Sequence, residues 1–181
     1  MQNQTLSFAN SEQYFVDETY QFQFATLLDL PFIFELMMDG SEQGAFTEKF
    51  LGGKGGVNLF AYITFGILSK WKWNTKKELR PSWILIKQAE SVIGFMNIQT
   101  LQLQNDRPTK ILGVFAVSPI HRGQGHAVGA LRQLIGSQPS GTTLLVHCTK
   151  YARGMQHVLK TVGFRRNRRA SHPAEEYWLH I

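Results

Sequence analysis

Apolar and polar residues alternate along this chain with two different periods, which separate strands from helices. The stretch "TYQFQFA" (19–25) alternates polar and aromatic side chains, which predicts a strand. The apolar residues that follow recur at the i, i+3, i+4 and i+7 positions of an amphipathic helix: Leu30, Ile33, Phe34 and Met37. Thr26 and Asp29 are candidates to cap the start of this helix, and Gly40 is a candidate to end it.

Residues 41–81 follow neither period clearly. The stretch "GGKGG" (52–56) predicts a flexible hinge or loop, because glycine restricts the backbone least. It does not fit a Walker A phosphate loop, since GxxxxGK must be followed by Ser or Thr, whereas Gly56 and Val57 close this stretch. The next stretch, "VNLFAYITFGILSKWKW" (57–73), favours a helix despite its β-branched and aromatic residues.

Strand-like alternation returns at Ser82. Three strands separated by short polar turns imply an antiparallel meander: 82–90, 91–103 and 109–118. The elements predicted after them are, in order, a helix, a strand, a helix that ends at Gly163 and a strand: 125–135, 141–149, 155–162 and 176–181. The crossover from 109 to 149 adds a parallel pair of strands, so we expect an α/β (α+β) chain with a mixed sheet.

The length of 181 residues suits one domain, which we expect at 19–181 after a polar N-terminal extension at 1–18. The first twenty residues show neither the basic nor the apolar region of an export signal. The longest apolar stretch (57–68) is shorter than the about 20 residues that span a bilayer. We therefore expect a cytoplasmic protein that does not bind a membrane. Cys148 is a lone cysteine, so it forms no intrachain disulfide, and we expect it in the core.

The net charge of +6 favours anionic partners. Charge alone leaves phosphates, nucleic acids and membrane surfaces open. Part of the excess lies in "RRNRR" (165–169), which predicts a solvated basic turn. No aromatic residues are interleaved with this run, so nucleic acid is an unlikely partner. No cluster of histidines, cysteines and carboxylates has the spacing of metal ligands, so we expect no metal.

The stretch "VFAVSPIHRGQGHAVGALRQLI" (114–135) places a basic turn between a predicted strand and a predicted helix. The first turn of a helix leaves backbone N–H groups without partners, and its dipole favours negative charge. Gly123 and Gly125 let a ligand approach the main chain, and Arg122 adds donors suited to phosphate. The combination predicts an anion site that suits a pyrophosphate, although the glycines alone could serve a tight connection. A Rossmann GxGxxG motif is not met, since Val128 replaces its third glycine.

This turn resembles the pyrophosphate loop of the GNAT superfamily of acyl-CoA-dependent N-acetyltransferases, which reads Q/R-x-x-G-x-G/A between a strand and a helix. Its positions fall on Arg122, Gly123, Gln124, Gly125, His126 and Ala127. Two further stretches, "FATLLDLPFIFEL" (24–36) and "HVLKTVGF" (157–164), resemble the opening and the last helix of the family. The resemblance covers residues 19–181 and is weakest over 41–81.

The resemblance implies the GNAT fold, a single domain whose mixed sheet is splayed at its centre and flanked by helices on both faces. It implies acetyl-CoA as the acyl donor. The pantetheine arm would lie between the strands at 109–118 and 141–149, with main-chain contacts from Phe115, Ala116 and Val117. A backbone N–H near Val117 would polarise the thioester carbonyl, and the acceptor amine would attack it directly.

Two catalytic residues are suggested at the next strand. Some members of the family carry a glutamate at the position of His147, and an imidazole exchanges protons near neutral pH. His147 is therefore a candidate general base, although an ordinary strand residue is the more common role for such a histidine. Leu159 replaces the tyrosine that usually protonates the thiolate, and Ala152 replaces the usual asparagine. Tyr151 is a candidate substitute for the tyrosine, or a packing residue at the end of the strand.

These features predict an N-acetyltransferase that acts on a primary amine of a small molecule or of a protein. The absence of the usual tyrosine and asparagine leaves an alternative, a non-catalytic GNAT-like module that binds acyl-CoA or a partner protein. Members of the family are often monomers or homodimers, and either state is expected here.

Overall fold

The structure, a computed structural model, describes residues 20–68, 82–102, 108–167 and 174–181. Its strands are β1 (Tyr20–Phe24), β2 (Ser82–Gln88), β3 (Ser91–Gln102), β4 (Pro108–Val117), β5 (Thr143–Cys148), β6 (Arg165–Asn167) and β7 (Glu175–His180). Its α-helices are α1 (Leu30–Glu42), α2 (Gly52–Leu68), α3 (His126–Gly136) and α4 (Arg153–Thr161). The expected extension at 1–18 lies outside the described residues.

Asp29 stands at the N-cap position of α1, as predicted, but its side chain bonds back to Thr26 across the preceding turn, Leu27–Asp29, rather than to the helix. The backbone N–H and the hydroxyl of Thr26 both donate to Oδ2 of Asp29, at 2.7 and 2.8 Å. The end of α1 was predicted wrongly at Gly40, because the helix continues to Glu42. Gly40 lies inside the helix because the ring of Phe46 packs over it, and a Cβ there would meet that ring at 2.3 Å.

The start of α2 corrects a second prediction. The stretch 52–56, expected as a flexible hinge or loop, forms the first turns of α2. Gly55 is buried, and a Cβ there would lie 2.7 Å from the carbonyl oxygen of Lys49. The glycine therefore serves close packing between the helix and the single turn at Glu48–Phe50, rather than flexibility. The helix predicted at 57–73 is confirmed as far as Leu68, and its remainder lies outside the described residues.

The seven strands form one sheet in the order β1-β2-β3-β4-β5-β7-β6. The β4–β5 pair is parallel and the other pairs are antiparallel, which confirms the mixed sheet. The basic run was predicted wrongly as a turn at its start, because Arg165–Asn167 pairs with β7 as an edge strand. Arg166 also forms an ion pair with Glu175 at 2.9 Å. The final two arginines of the run lie outside the described residues.

Helices pack on both faces of the sheet. On one face, α1 and α2 bury a cluster that includes Ile33, Met37, Ile63, Trp83 and Phe95. On the other face, α3 and α4 bury a cluster that includes Leu131, Leu134, Val146, Leu159 and Tyr177. This arrangement confirms the predicted fold class, a single domain with a centrally splayed sheet. Among the described helices, none combines the length and the apolar character needed to cross a bilayer.

The splay begins at a bulge in β4. Asn97 of β3 pairs with Val114, whereas Ile98 pairs with Leu112, so Gly113 is an extra residue in β4. A bulge bends its strand and interrupts pairing. The parallel pairing between β4 and β5 accordingly ends at Leu112 and Val146, although β4 continues to Val117. The space between the diverging ends is called the β4–β5 cleft below.

Candidate active site

A cavity of about 640 Å³ occupies the β4–β5 cleft. Its volume falls in the range of ligand sites, about 300–1,000 Å³. Its walls come from the end of β4, the turn before α3, the end of β5, the start of α4 and the end of α1. The predicted catalytic residues and all the predicted cofactor-binding residues except Gln124 line it: His147, Tyr151, Phe115, Ala116, Val117, Arg122, Gly123, Gly125, His126 and Ala127.

The edge of β4 that faces the cleft offers main-chain hydrogen-bonding groups. The N–H of Ser118 donates to the carbonyl of Ile93 at 2.9 Å, so hydrogen-bonded pairs with β3 fall on every second residue from there. The polar groups of Phe115 and Val117 therefore point away from β3 and into the cleft. The main chain of Ala116 faces β3, where its carbonyl oxygen would lie 2.2 Å from a Cβ on Gly94.

The turn Arg122–Ala127, called the glycine loop below, leads from β4 into α3. Gly123 and Gly125 have φ angles of +76° and +83°, which other residues rarely adopt. Within 4 Å of a Cβ on either glycine there is nothing, so the main chain is open to a ligand. The first helical hydrogen bond runs from the N–H of Gly129 to the carbonyl of Gly125. The N–H groups that begin α3 have no acceptor inside the helix, which suits an anion.

Arg122 has partners that the sequence did not indicate. Its Nη2 donates to Oδ2 of Asp39 at 2.6 Å, and its Nη1 donates to Oε1 of Gln43 at 3.3 Å. Its Nε donates to the carbonyl of Val117 at 3.0 Å. The guanidinium thus joins α1, the end of β4 and the glycine loop. Each Nη carries a second N–H that these contacts do not use, and the side chain is 40% exposed.

The side chain of His126 is turned toward β1. Its Nδ1 lies 3.1 Å from the hydroxyl of Tyr20, and its ring meets the ring of His121 edge-on with centroids 5.9 Å apart. Gly129, one turn further along α3, provides room for this tyrosine, because a Cβ there would lie 2.7 Å from the Tyr20 ring. The contribution predicted for His126 and Ala127 therefore rests on their backbone N–H groups. Gln124, also predicted, donates from its amide to the carbonyl of Ile120 at 2.9 Å.

His147 lies at the point where β4 and β5 diverge. It follows Val146, the last residue of β5 that pairs with β4, and it lines the cavity. Val146 and Cys148 pack into the cluster under α3 and α4, so His147 projects toward the opposite face. Its Nε2 lies 3.2 Å from Oε2 of Glu176, its cross-strand partner on β7.

The carboxylate of Glu176 is held by two further donors. Its Oε1 accepts from Nδ2 of Asn167 at 2.7 Å and from Nε1 of Trp178 at 2.6 Å. Partial burial works to raise the pKa of Glu176, but these bonds and the imidazole of His147 together hold it below its ordinary value. The carboxylate therefore stays charged and fixed beside the imidazole. Nothing in the sequence singled out this residue, because its partners lie on three different strands.

Neither a family model nor a curated protein sequence matches the chain. Solved structures do match it. A GNAT-family acetyltransferase from Streptococcus agalactiae has a TM-score of 0.67 at 15% identity, over 91% of this chain and 96% of its own. An aminoglycoside N(6')-acetyltransferase from Legionella pneumophila gives 0.64 at 16% identity, over 88% and 90%. A ribosomal-protein alpha-N-acetyltransferase in complex with coenzyme A gives 0.60 at 11% identity, over 92% and 96%.

The chain has the GNAT fold. The resemblance noted in the sequence is therefore confirmed at the level of the fold. The two positions at which the sequence departs from the GNAT pattern are both buried. Leu159, in place of the usual tyrosine, is fully buried in the cluster under α4, and Ala152 is buried at the start of that helix.

Tyr151 directly precedes Ala152 in the chain and carries a hydroxyl. It lines the cavity and is 59% exposed, and Nζ of Lys150 lies 4.9 Å from its ring centroid. Thr149, which follows β5, donates from its hydroxyl to the carbonyl of Gly44 at 2.7 Å. The loop after α1 is thereby tied to the junction of β5 and α4.

Cys148 fits the core role predicted for it. Burial, and secondarily the charge of Glu175, raise the pKa of its thiol to about 12. Its side chain is a member of the cluster under α3 and α4. A thiol of this kind is a poor nucleophile at neutral pH, which disfavours an acyl-enzyme on this residue. Within the described ranges, histidines, cysteines and carboxylates form no group that could hold a metal ion.

Proposed function

We propose that this protein is an acetyl-CoA-dependent N-acetyltransferase that transfers an acetyl group to a primary amine. The observation that carries this proposal is that the edge of β4 and the glycine loop line the same cavity. The edge of β4 offers main-chain groups that β5 does not pair, and the glycine loop at its end offers helix N–H groups, two open glycines and a guanidinium. A diphosphate attached to an extended amide chain matches both features.

The donor would be held by main-chain groups. Phe115 presents its N–H and carbonyl to the cleft, and Val117 presents its N–H, because its carbonyl accepts from Nε of Arg122. An extended pantetheine arm can bond to these groups like an added strand. The backbone of the glycine loop would hold the diphosphate, assisted by the remaining N–H groups of Arg122. Ala116 turns its main chain to β3 and would contribute apolar surface instead.

The reaction would need a neutral amine and a polarised thioester. His147 would take a proton from the acceptor ammonium, and the N–H of Val117 would donate to the thioester oxygen. The amine lone pair then forms the C–N bond as the C–S bond breaks. Tyr151 would protonate the leaving thiolate, since Leu159 has no proton to give. Most of the rate would come from holding the two reactants together.

The acceptor class stays broad. Among the structures similar to this chain, one is named for an aminoglycoside acceptor and one for a ribosomal protein. Small-molecule and protein amines are therefore both proposed here. We expect the protein to act in the cytoplasm.

A second candidate function is a non-catalytic acyl-CoA-binding module, and the buried Leu159 favours it. A thiol-release assay with acetyl-CoA across a panel of small amines and peptide N-termini tests the choice. The enzyme predicts release with at least one acceptor and a loss of about 100-fold in kcat for His147→Ala. Tight acetyl-CoA binding without release for any acceptor would favour the module instead.

A further inference from the structure

We infer that Glu176 is a positioning residue that orients His147 and compensates the charge that His147 gains during transfer. This inference rests on the proposed function and adds to it a residue from β7, outside the cavity wall.

The two oxygens of the Glu176 carboxylate have different partners. Asn167 and Trp178 both donate to Oε1, at 2.7 and 2.6 Å, which sets the plane of the group. Oε2 is directed at the imidazole of His147, 3.2 Å away. The Glu176 side chain is 15% exposed and that of His147 is 32% exposed, so the pair lies at the border of the cavity. A carboxylate held in this way cannot rotate away when the imidazole becomes charged.

The contact also sets the tautomer of His147. An ionised carboxylate only accepts hydrogen bonds, so Nε2 of His147 carries the proton that faces Glu176. When His147 takes a second proton, the negative charge of Glu176 offsets the positive charge of the new imidazolium.

The proton balance of the step is simple. The acceptor enters as an ammonium, and the imidazole of His147 takes one proton from it. The amine attacks the thioester carbon, the C–S bond breaks, and the electron pair stays on sulfur. A second proton passes from the new amide nitrogen to the thiolate, directly or through Tyr151. His147 then returns its proton to water.

Glu176→Gln tests the inference, and Glu175→Gln is its matched control. The two glutamates are neighbours on β7, but Glu175 faces the other side, where it contacts Tyr177 and Arg166. We expect Glu176→Gln to lower kcat about tenfold or more, with the KM for acetyl-CoA unchanged. A lowered kcat at an unchanged KM is the result that a general loss of structure would not give. Glu175→Gln should change neither quantity.

NMR resonances of the His147 ring, compared between Glu176→Gln and wild type at one neutral pH, report the orientation of the ring without turnover. Unchanged kcat and unchanged ring resonances in Glu176→Gln would overturn the inference, as would equal effects from Glu175→Gln. If circular dichroism shows that Glu176→Gln is unfolded, Glu176→Asp takes its place as the test. That variant should lose kcat while keeping its acetyl-CoA affinity, and wild-type kcat would refute the role. Failure of acetyl-CoA to bind the wild type would instead refute the proposed function, whatever the ring resonances show.

Discussion

Arg122 of the glycine loop and Asp39 of α1 form an ion pair with 2.6 Å between Nη2 and Oδ2. This contact joins the proposed donor site to the helix that borders the other side of the cavity. On the other side of the cavity, the hydroxyl of Thr149 donates to the carbonyl of Gly44 in the loop after α1. The end of α1 is therefore anchored to both walls of the β4–β5 cleft.

Arg122→Glu should weaken acetyl-CoA binding at least about tenfold, or about 1.4 kcal/mol. The change removes a cation from the diphosphate site and places an anion beside Asp39. Isothermal titration calorimetry measures the affinity. Asp39→Asn is the control, because it breaks the ion pair and keeps the guanidinium. Its affinity should stay within about fivefold of wild type, since exposed ion pairs contribute about 1 kcal/mol or less. Equal losses of acetyl-CoA affinity in both variants would mean that the Arg122–Asp39 ion pair supports binding and that the positive charge of Arg122 does not.

Gly125→Ala should weaken acetyl-CoA binding and lower the free energy of unfolding by about 1 kcal/mol. The φ of +83° is strained for alanine, and its methyl group would stand over the main chain that the diphosphate approaches. Gly136→Ala, at the exposed end of α3 with open space around its Cβ, is the matched control and should leave affinity unchanged. Urea unfolding and calorimetry measure the two effects. Wild-type affinity in Gly125→Ala would contradict the proposed role of the loop.

Cys148 should resist iodoacetamide at pH 8 in the native protein and react in urea. Its thiol is buried and its pKa is raised to about 12, so little thiolate forms. Mass spectrometry of the alkylated protein measures the extent of reaction. Cys148→Ala should also keep kcat within about twofold, because direct transfer needs no acyl-enzyme. A stable acetyl adduct on this cysteine during turnover would contradict direct transfer.

Tyr151→Phe should lower kcat about tenfold or more and leave acetyl-CoA affinity unchanged, because only the proton donor is lost. Tyr62→Phe, on α2 outside the cavity, serves as the control and should have wild-type kinetics. Steady-state kinetics with one responsive acceptor measures both variants. An unchanged kcat in Tyr151→Phe would assign the proton transfer to water.

Glu176 should stabilise the fold at neutral pH and lose that effect in acid. Its pKa is lower in the folded protein than the ordinary value of about 4.3, so the native state favours the charged form. The contribution is present above that value and disappears as pH falls through the folded pKa. The difference in unfolding free energy between wild type and Glu176→Gln should therefore shrink between pH 7 and pH 3. A difference that is constant with pH would contradict the contacts of this carboxylate.

Local sequence patterns were enough for most of the fold. Period-2 alternation gave the meander of β2, β3 and β4, and the glycines with Arg122 marked the loop before α3. These features depend on residues close together in the chain, where the period of burial dictates the element. The prediction of the β4–β5 cleft came from the resemblance to the GNAT superfamily rather than from the pattern itself. The structure gives its local origin in the extra residue Gly113.

The errors arose where packing and pairing between elements, rather than the local period, decide the outcome. Glycines at 52–56 suggested a loop, yet α2 begins there and Gly55 packs closely against the carbonyl of Lys49. Arginines at 165–167 suggested a turn, yet they pair with β7. The partners of the site residues were also missed. Asp39 lies 83 positions from Arg122, and Glu176 lies 29 positions from His147, so no local period connects them.

Calorimetric titration of acetyl-CoA into the wild-type protein tests the central claim most directly, namely that the β4–β5 cleft and the glycine loop bind a coenzyme A thioester. The account predicts saturable binding with one site per chain, and competition by free coenzyme A at the same site. Absence of binding heat from both compounds at several temperatures, with the protein shown to be folded, would contradict it.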